Sequence, residues 1–291
     1  GKDTAIKIGY EIANPKIDAF LQKIKLISSS YSNSNSILVH CWRGGMRSAN
    51  FADLLVKNGY KTHTLIKGYK AYRNFTLEYF NNDFNIMIVG GETGSGKTEI
   101  LKHISQTGEQ VIDLERIANH KGSAFGALGE IEQPTTEQFE NYLCAEFLKM
   151  NSKKIIWLED ESVNIGKVHI PAALWASMKK SPILRVSIPK SLRIKRLVED
   201  YGTFSKDELK ACVLKISKRL GGQHVAHALE ELEKNNLDVV ADITLNYYDK
   251  AYNYNHEKRM MKDVFVIECN SADPLVNAKK IIDYADSNST S

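Results

Sequence analysis

The 291-residue sequence has little cysteine and no long hydrophobic run, and both absences argue against whole classes of protein. Its four cysteines stand far apart, and none is paired with histidine at the spacing of a metal site. A disulfide scaffold is therefore not expected, and a reducing cytoplasm is the predicted location. No apolar run approaches the roughly 20 residues that span a bilayer, and no signal peptide opens the sequence, so no membrane partner is expected.

A strong charge of either sign is also missing. Lys and Arg number 39 against 35 Asp and Glu, which gives a formal net charge of +4 at pH 7. This mild excess permits an anionic partner such as nucleic acid but does not require one. Hydrophobic residues make up 43% of the chain and charged residues 25%, as in ordinary globular proteins. Binding to nucleic acid must therefore be judged from individual sites.

A turn-forming triplet, Asn81-Asn82-Asp83, separates two apolar patterns. Before it, hydrophobic spacing predicts helices over about 15–27 and 47–58 and strands over 37–40 and 62–66. The serine-rich stretch 28–36 is predicted as a loop. This alternation indicates an α/β unit with parallel strands, and we place the domains at 1–82 and 83–291.

The second half repeats the alternation on a larger scale, with a long helix predicted within 205–234. Its predicted strands are 85–91, 110–115, 153–160, 183–188, 241–247 and 263–269. Helical segments lie between most of these strands. The pattern predicts a doubly wound parallel sheet.

The first of these strands runs into the stretch GGETGSGKTE, which fits the phosphate-binding pattern GxxxxGK[ST] in full. The predicted phosphate-binding residues are Gly91, Thr93, Gly94, Ser95, Gly96, Lys97 and Thr98. Glycines let backbone N–H groups surround phosphate oxygens, Lys97 adds a positive charge, and the following helix adds its dipole. Thr98 is placed for a Mg²⁺ ion, if one is used. The motif predicts a phosphate ligand without naming it.

A later strand, IIWLED, ends in two carboxylates. Glu159 or Asp160 would hold Mg²⁺ through water, as the second acidic element of P-loop folds does. An acidic strand end that is merely exposed to solvent is an equally weighted alternative. The metal is therefore left open.

In the first half, the stretch SILVHCWRGGMRSA places Cys41 directly after a predicted strand. Only a thiolate is a good nucleophile, and a free cysteine has a pKa of about 8.5. Arg43 and Arg47 would lower this pKa, as would backbone N–H groups of a loop that Gly44 and Gly45 allow to curl around the sulfur. The alternative is an inert buried cysteine. The neighbouring arginines and glycines favour a reactive thiol, whereas the structural interpretation is preferred for Cys144, Cys212 and Cys269.

The loop CWRGGMRS, residues 41–48, resembles the active-site loop of rhodanese-like sulfurtransferases. Followed by a P-loop, it resembles the tRNA 2-selenouridine synthase family, which residues 113–126, 159–166 and 247–252 also match. The resemblance extends over nearly the whole chain. It implies an α/β protein with a partial rhodanese-like domain followed by a P-loop domain. Because the family begins with a further strand and helix, we expect the N-terminal part of the rhodanese domain to be missing.

The family resemblance also implies a reaction on tRNA with 2-thiouridine at the wobble position. Geranyl diphosphate would alkylate the sulfur, and selenium from selenophosphate would then replace the geranylated sulfur. Cys41 would carry selenium as a selenylsulfide, with Arg43 and Arg47 as catalytic partners, and the P-loop would hold the diphosphate. Beyond these co-substrates no cofactor is implied, apart from the Mg²⁺ left open above.

Five further side chains are candidates for binding substrate: His120, Lys121, Arg193, Arg196 and Arg219. The first two follow a predicted strand, and the resemblance favours a phosphate or tRNA contact as much as a polar loop. Arg193 and Arg196 resemble arginines that close over phosphates, although a solvated helix face is an equal alternative. Arg219 is a similar case.

Aromatic residues accompany basic ones at two places. Tyr247, Tyr248, Tyr252 and Tyr254 would stack bases or line a prenyl pocket, with partial burial against the sheet as the alternative. Near the cysteine loop, Lys67, Lys70 and Arg73 flank Tyr69 and Tyr72 and would attract tRNA phosphates.

Two other functions compete with tRNA modification. One is a sulfurtransferase fused to an ATP-dependent small-molecule kinase, and the other is a nucleotide-regulated binding module with an inert thiol. Ligand choice and thiol reactivity distinguish the three.

Overall fold

The computed structural model describes residues 1–30, 36–257 and 264–288. The chain forms two compact units, Gly1–Phe75 and Thr76–Ser291. The division between the units falls inside a helix. It lies a few residues before the turn at Asn81-Asn82-Asp83, where the domain boundary is predicted. No helix in the described ranges is long and apolar enough to cross a membrane.

Among its described residues, the first unit contains four α-helices, a 3₁₀ turn and two strands, and the fourth helix continues into the second unit. They are α1 (Lys2–Ala13), the 3₁₀ turn Asn14–Lys16, α2 (Ile17–Ser30), β1 (Ser36–Val39), α3 (Met46–Lys57), β2 (Lys61–Thr64) and α4 (Gly68–Tyr79). β1 and β2 pair in parallel, with Ile37 opposite Thr62. The predicted helices and strands of this half are therefore confirmed, except that residues 28–30 continue α2 instead of starting a loop; residues 31–35 of that predicted loop lie outside the described ranges.

Apolar side chains of α3 give this unit its small core. Ala52 and Leu55 are buried with Val39 of β1, and Phe51 packs against them. The buried side chain of Val39 fixes the end of β1. Cys41 follows at the carboxyl end of the parallel strand pair. The rhodanese-like assignment of this unit stays a prediction.

The second unit is built on a five-stranded sheet in which every pairing is parallel. Its strands, in spatial order, are β4 (Gln110–Val111), β5 (Ile156–Glu159), β3 (Ile86–Gly91), β8 (Ile183–Ser187) and β9 (Val264–Glu268). A short antiparallel pair, β6 (Asn164–Ile165) and β7 (Val168–His169), stands apart from it. The helices are α5 (Lys97–Gln106), α6 (Leu114–Ala118), α7 (Thr136–Phe147), α8 (Ala172–Lys180), α9 (Lys190–Tyr201), α10 (Lys206–Lys215), α11 (Ser217–Leu220), α12 (Gly222–Glu233), α13 (Leu237–Glu257) and α14 (Pro274–Asn288).

Helices cover both faces of this sheet. Successive side chains of a strand point to opposite faces, and apolar side chains on both faces must be buried. In β3, Ile86 and Ile88 face a core formed with α6, α7 and α8, whereas Val89 faces one formed with α5 and α14. In β5, Leu158 and Trp157 divide in the same way. The predicted doubly wound parallel sheet is therefore confirmed, and β3, the strand that enters the P-loop, lies at its centre.

Three predictions for this unit are wrong in whole or in part. The strand predicted over 110–115 ends at Val111, and residues 114 and 115 begin α6. Residues 241–247, predicted as a strand, lie inside α13. Val240 and Ile243 pack with α10 and α12 in a separate apolar cluster, a helical spacing that a short apolar run does not distinguish from a strand. The long helix predicted within 205–234 is three helices, because the chain breaks at Ile216 and at Gly221, which has a φ of +88°.

Candidate active site: a cysteine loop and a P-loop

The sulfur of Cys41 accepts a hydrogen bond from the backbone of the loop that follows it and lies within hydrogen-bond distance of a hydroxyl, which also donates to the Gly45 carbonyl at 2.9 Å. The Gly45 N–H lies 3.3 Å from Sγ, and the buried hydroxyl of Ser48, in the first turn of α3, lies 3.3 Å from it. These contacts, the Ser48 hydroxyl foremost, lower the pKa of Cys41 to about 6. The thiolate therefore predominates above about pH 6, and the half-buried sulfur is a nucleophile at neutral pH.

The arginines beside Cys41 contribute to this pKa differently from the expectation. Arg43 acts through its backbone N–H rather than its guanidinium, and the first two causes of the lowering are Ser48 and Gly45. The side chains of Arg43 and Arg47 are both exposed. Two sources of the low pKa of Cys41 were expected, the arginine charges and the hydrogen bonds of the loop, and the hydrogen bonds are the ones that lower it. The guanidinium groups therefore stay available to an incoming anion.

Backbone hydrogen bonds from the first turn of α4 hold the cysteine loop. The N–H groups of Tyr69 and Lys70 donate to the carbonyls of Cys41 and Trp42, both at 2.9 Å. Gly44 has a φ of +63°, and a Cβ there would lie 2.5 Å from the backbone nitrogen of Gly68. Such a contact is impossible, so this close approach requires glycine.

Gly45, in contrast, has an extended backbone with a φ of −101° and open space where a Cβ would be. Of the two glycines expected to curl the loop, only Gly44 has a positive φ. Gly68, also at a positive φ, was missed, although a glycine two residues after a predicted strand is a recognisable signal.

The P-loop joins β3 to α5 as its motif predicts. Lys97 Nζ donates to the carbonyl of Gly91 at 3.0 Å and closes the loop on itself. Gly94 and Gly96 have φ values of +80° and +77°. The Ser95 hydroxyl is buried and has no hydrogen-bond partner among the described residues, as a group awaiting a ligand would be.

Carboxylates gather beside the P-loop. Thr98 Oγ1 donates to Glu115 Oε2 at 2.8 Å, and Glu115 N–H donates to Glu159 Oε1 at 2.7 Å. Burial, with the nearby charge of Glu115, raises the pKa of Glu161 to about 8, and Glu161 and Glu115 are hydrogen-bonded. Burial also raises the pKa of Glu159 well above its usual range. At neutral pH Glu161 therefore retains its proton, close to the positive charge of Lys97.

The predicted Mg²⁺ carboxylates differ from each other in their surroundings. Glu159 is 2% exposed, so the alternative of a solvent-exposed strand end is wrong for it, and its Oε2 has no partner among the described residues. Asp160 is hydrogen-bonded to Tyr252. Within the described ranges, no group of three or more His, Cys, Asp or Glu side chains could hold a metal ion. Thr98 and one oxygen of Glu159 fit a Mg²⁺ ion only if the phosphate ligand and water supply the remaining oxygens.

Helix α13 fixes the start of the P-loop. The Gly91 N–H donates to the phenol oxygen of Tyr252 at 2.8 Å, and this phenol in turn bonds to Asp160. Arg185 lies over the Tyr252 ring, with 5.1 Å between its guanidinium carbon and the ring centroid, and pairs with Glu92. Burial raises the pKa of Tyr252 well above its usual value, so the phenol stays protonated as a donor.

Two arginines of α9 contact the next part of the loop. The guanidinium of Arg193 is buried, bonds both oxygens of Asp249 at 2.8 and 2.9 Å, and donates to the carbonyl of Thr93 at 3.1 Å. It therefore joins the P-loop to α13. Arg196 lies against Gly96, where a Cβ would be 2.8 Å from its guanidinium carbon. Of the two, Arg196 is the one whose position suits a phosphate contact.

An apolar pocket opens beside the P-loop. Its cavity volume is about 60 Å³, and Thr93 of the P-loop lies in its wall. Most of its lining is hydrocarbon or aromatic, and it includes Leu197, Val198, Tyr201, Val240, Ala241 and Tyr248. A ligand with a phosphate group and an apolar tail would find both parts of its site here.

Comparisons with known proteins identify the family. Residues 84–280 match the family model described as the tRNA 2-selenouridine synthase AAA domain. A tRNA 2-selenouridine synthase from Shewanella woodyi is 31% identical over 91% of this chain and 79% of that protein. The chain belongs to the tRNA 2-selenouridine synthase family. A synthase of the same name from Shewanella frigidimarina is 33% identical over 91% of this chain and 80% of that protein.

Among solved structures, a gluconokinase from Sinorhizobium meliloti 1021 aligns with 71% of this chain and 96% of its own. Its identity to this chain is 12% and the TM-score is 0.34. A likeness of this size carries no argument about function.

The remaining predicted residues of this tRNA 2-selenouridine synthase family member lie in varied surroundings. His120 is buried, which lowers its pKa, and its Nδ1 has no partner among the described residues. Lys121 pairs with Glu130 at 3.3 Å. Both precede Ser123 and Phe125, which line the apolar pocket. Arg219 donates to the phenol of Tyr247 at 3.2 Å.

The four tyrosines of α13 do not form one cluster. Tyr248 lines the pocket, and burial raises its pKa to about 12; Tyr252 contacts the P-loop, and Tyr254 is exposed. Ser48, Asp249 and the role of Tyr252 were not found from sequence, because each acts through a partner distant along the chain or through loop geometry. The three cysteines interpreted as structural are buried, as expected.

Replacing Ser48 with alanine is expected to raise the pKa of Cys41 from about 6 toward its ordinary value, because the largest stabilising contact to the thiolate is lost. The rate of alkylation by iodoacetamide, measured against pH, reports this pKa. Arg47→Gln removes a neighbouring charge, keeps both hydrogen bonds to sulfur, and should shift the midpoint less. A larger shift in Arg47→Gln than in Ser48→Ala would contradict this assignment.

Tyr252→Phe is expected to lower the free energy of unfolding by about 1–3 kcal/mol, because the N–H of Gly91 loses its partner in a buried place. Urea unfolding measures this loss. Tyr254→Phe on the same helix is the matched control, and since that side chain is 58% exposed its effect should be small. Equal effects of the two substitutions would show that Tyr252 does not anchor the loop.

Proposed function

We propose that this chain replaces the sulfur of wobble 2-thiouridine in tRNA with selenium, acting in the cytoplasm. Family membership supports tRNA modification as the general function. The observation that carries the proposal is the presence, in one chain, of a hydrogen-bonded Cys41 thiolate and a complete P-loop beside an apolar pocket. A sulfurtransferase needs the first, and a prenyl diphosphate needs the other two.

In the first step, geranyl diphosphate is the proposed alkyl donor. The sulfur of 2-thiouridine attacks C1 of the geranyl group, the C1–O bond breaks, and diphosphate leaves with the electron pair. Lys97, the N–H groups of the loop and Arg196 are positioned to stabilise the charge that develops on the leaving group. The apolar pocket supports this donor, because it would accept the hydrocarbon chain of a diphosphate lying in the P-loop.

In the second step, hydrolysis of the P–Se bond of selenophosphate releases phosphate and a selenide-level nucleophile. This selenium adds to C2 of the base, the C2–S bond breaks, and geranylthiolate leaves with the electron pair. Alkylation helps because a thioether sulfur leaves more readily than a thione sulfur. Cys41, with Arg43 and Arg47, is the proposed site that receives the selenium. Selenium in selenophosphate is at the selenide level, so a selenylsulfide on Cys41 would need an oxidant to form and a thiol to release it. The proposal is therefore the net exchange at C2, and the selenylsulfide stays a prediction.

The two steps should be separable by mutation. Cys41→Ala is expected to abolish selenation while S-geranyl-tRNA accumulates, because only the selenium acceptor is removed. Lys97→Ala is expected to slow geranylation by about tenfold or more, because the leaving diphosphate loses a positive charge. Mass analysis of 2-thiouridine tRNA, incubated with geranyl diphosphate with and without selenophosphate, measures both products.

Two results would contradict this division. One is equal loss of both products in a folded Cys41→Ala protein. The other is turnover of ATP with no response to geranyl diphosphate, which would favour the fused sulfurtransferase and kinase.

The apolar pocket should determine the affinity for the prenyl chain. Ala241 is buried in its wall, and Ala241→Trp would fill it. Geranyl diphosphate is then expected to bind about tenfold more weakly or worse, since each buried CH₂ contributes about 0.8 kcal/mol. Binding of inorganic pyrophosphate, measured by calorimetry, should be unchanged. Val239→Trp, at an exposed position of the same helix, is the control, and parallel losses for both ligands would refute the pocket assignment.

A further inference from the structure

Trp42, the residue after the nucleophile, is unusually exposed for its size. Its side chain is 49% exposed, although it lies in the same loop as Cys41. An open cavity of about 480 Å³ lies at this loop, and its lining includes Cys41, Trp42, Arg43, Met46 and Arg47. A large indole left half exposed beside a reactive thiol marks a surface that contacts a ligand.

The indole is held in place although it is exposed. The backbone carbonyl of Trp42 accepts a hydrogen bond from the N–H of Lys70. The centroid of the Trp42 ring lies 5.8 Å from that of the Tyr69 ring. Tyr69 also stacks on His40, with 5.7 Å between the centroids and 29° between the planes. Because the Tyr69 N–H bonds the carbonyl of Cys41, the sulfur and the indole are positioned by the same residue.

An aromatic surface that shares a cavity with two guanidinium groups suits a nucleobase better than a hydrocarbon. Base edges and phosphates interact favourably with Arg43 and Arg47, whereas an alkyl chain would gain nothing from either charge. Sequence-specific proteins recognise single-stranded RNA loops by stacking splayed bases on aromatic side chains. An apolar pocket lined by Leu197 and Val240 already exists elsewhere for a hydrocarbon.

We infer that Trp42 is the stacking platform for the base whose C2 exchanges sulfur for selenium, with Arg43 and Arg47 contacting the adjoining phosphates. This inference rests on the proposed function, since it takes tRNA as the substrate. Trp42 is a positioning residue: it holds the ring of the base beside Cys41 while sulfur is exchanged for selenium at C2.

The test is a double-mutant cycle between the protein and the RNA. The RNA is an anticodon stem–loop with 2-thiouridine at the wobble position, or the same stem–loop with an abasic wobble nucleotide. Its dissociation constant is measured for the parent protein, Trp42→Ala, Trp42→Phe and Met46→Ala. Met46 is a matched control, because it is 47% exposed and lines the same cavity.

In the parent, removing the base should weaken binding by about tenfold or more, the range of one stacked base. In Trp42→Ala the same removal should have almost no effect, Trp42→Phe should be intermediate, and Met46→Ala should behave as the parent. The pH midpoint of Cys41 alkylation should stay near 6 in each variant if the loop is intact. A merely structural role for Trp42 would shift this midpoint without coupling to the base.

Two results would overturn the inference. The first is an abasic effect that is as large in Trp42→Ala as in the parent, which would show that the base stacks elsewhere. The second is weaker binding of geranyl diphosphate in Trp42→Ala with unchanged RNA binding, which would assign the indole to the hydrocarbon. If the parent itself does not distinguish the two stem–loops while binding geranyl diphosphate, tRNA as the substrate fails and the inference with it.

Discussion

The ion pair between Arg193 and Asp249 is the interaction on which the geometry of the P-loop unit depends. It is bidentate, its guanidinium is buried, and the same group holds the carbonyl of Thr93. A buried charge that loses its partner is strongly destabilising, so α9, α13 and the P-loop are constrained to move together. The phosphate-binding loop is thus braced from outside the sheet as well as by β3 and α5.

This bracing explains why the pocket and the P-loop share a wall. The helices joined by Arg193 are the helices that line the apolar cavity, through Leu197 on α9 and Val240 on α13. Tyr252 extends the connection to Gly91, so the alignment of the first P-loop N–H also depends on α13. The contacts that join residues 93, 193 and 249 form only in the folded protein, because these residues are far apart in sequence.

The sequence predicts what depends on local pattern. Alternating strands and helices predict the parallel sheet, and GETGSGKT predicts a P-loop at the end of its central strand, because glycine and lysine requirements are local. Local pattern fails at residues 241–247, where burial against α10 and α12 decides for a helix. Local pattern also does not predict the partner of Arg193. The sequence around Arg193 resembles that of a phosphate-binding arginine, but its ion pair is with Asp249, 56 residues further along the chain.

At the cysteine loop, the source of the low pKa changes what the arginines are able to do. Had the guanidinium charges been needed to keep the sulfur ionised, an anionic substrate that paired with them would have raised the pKa of Cys41 during binding. Ser48 and Gly45 stabilise the thiolate instead, and both belong to the protein's own loop. Arg43 and Arg47 can therefore neutralise an incoming phosphate while the nucleophile stays charged. A thiolate that must react beside a polyanion requires this separation of roles.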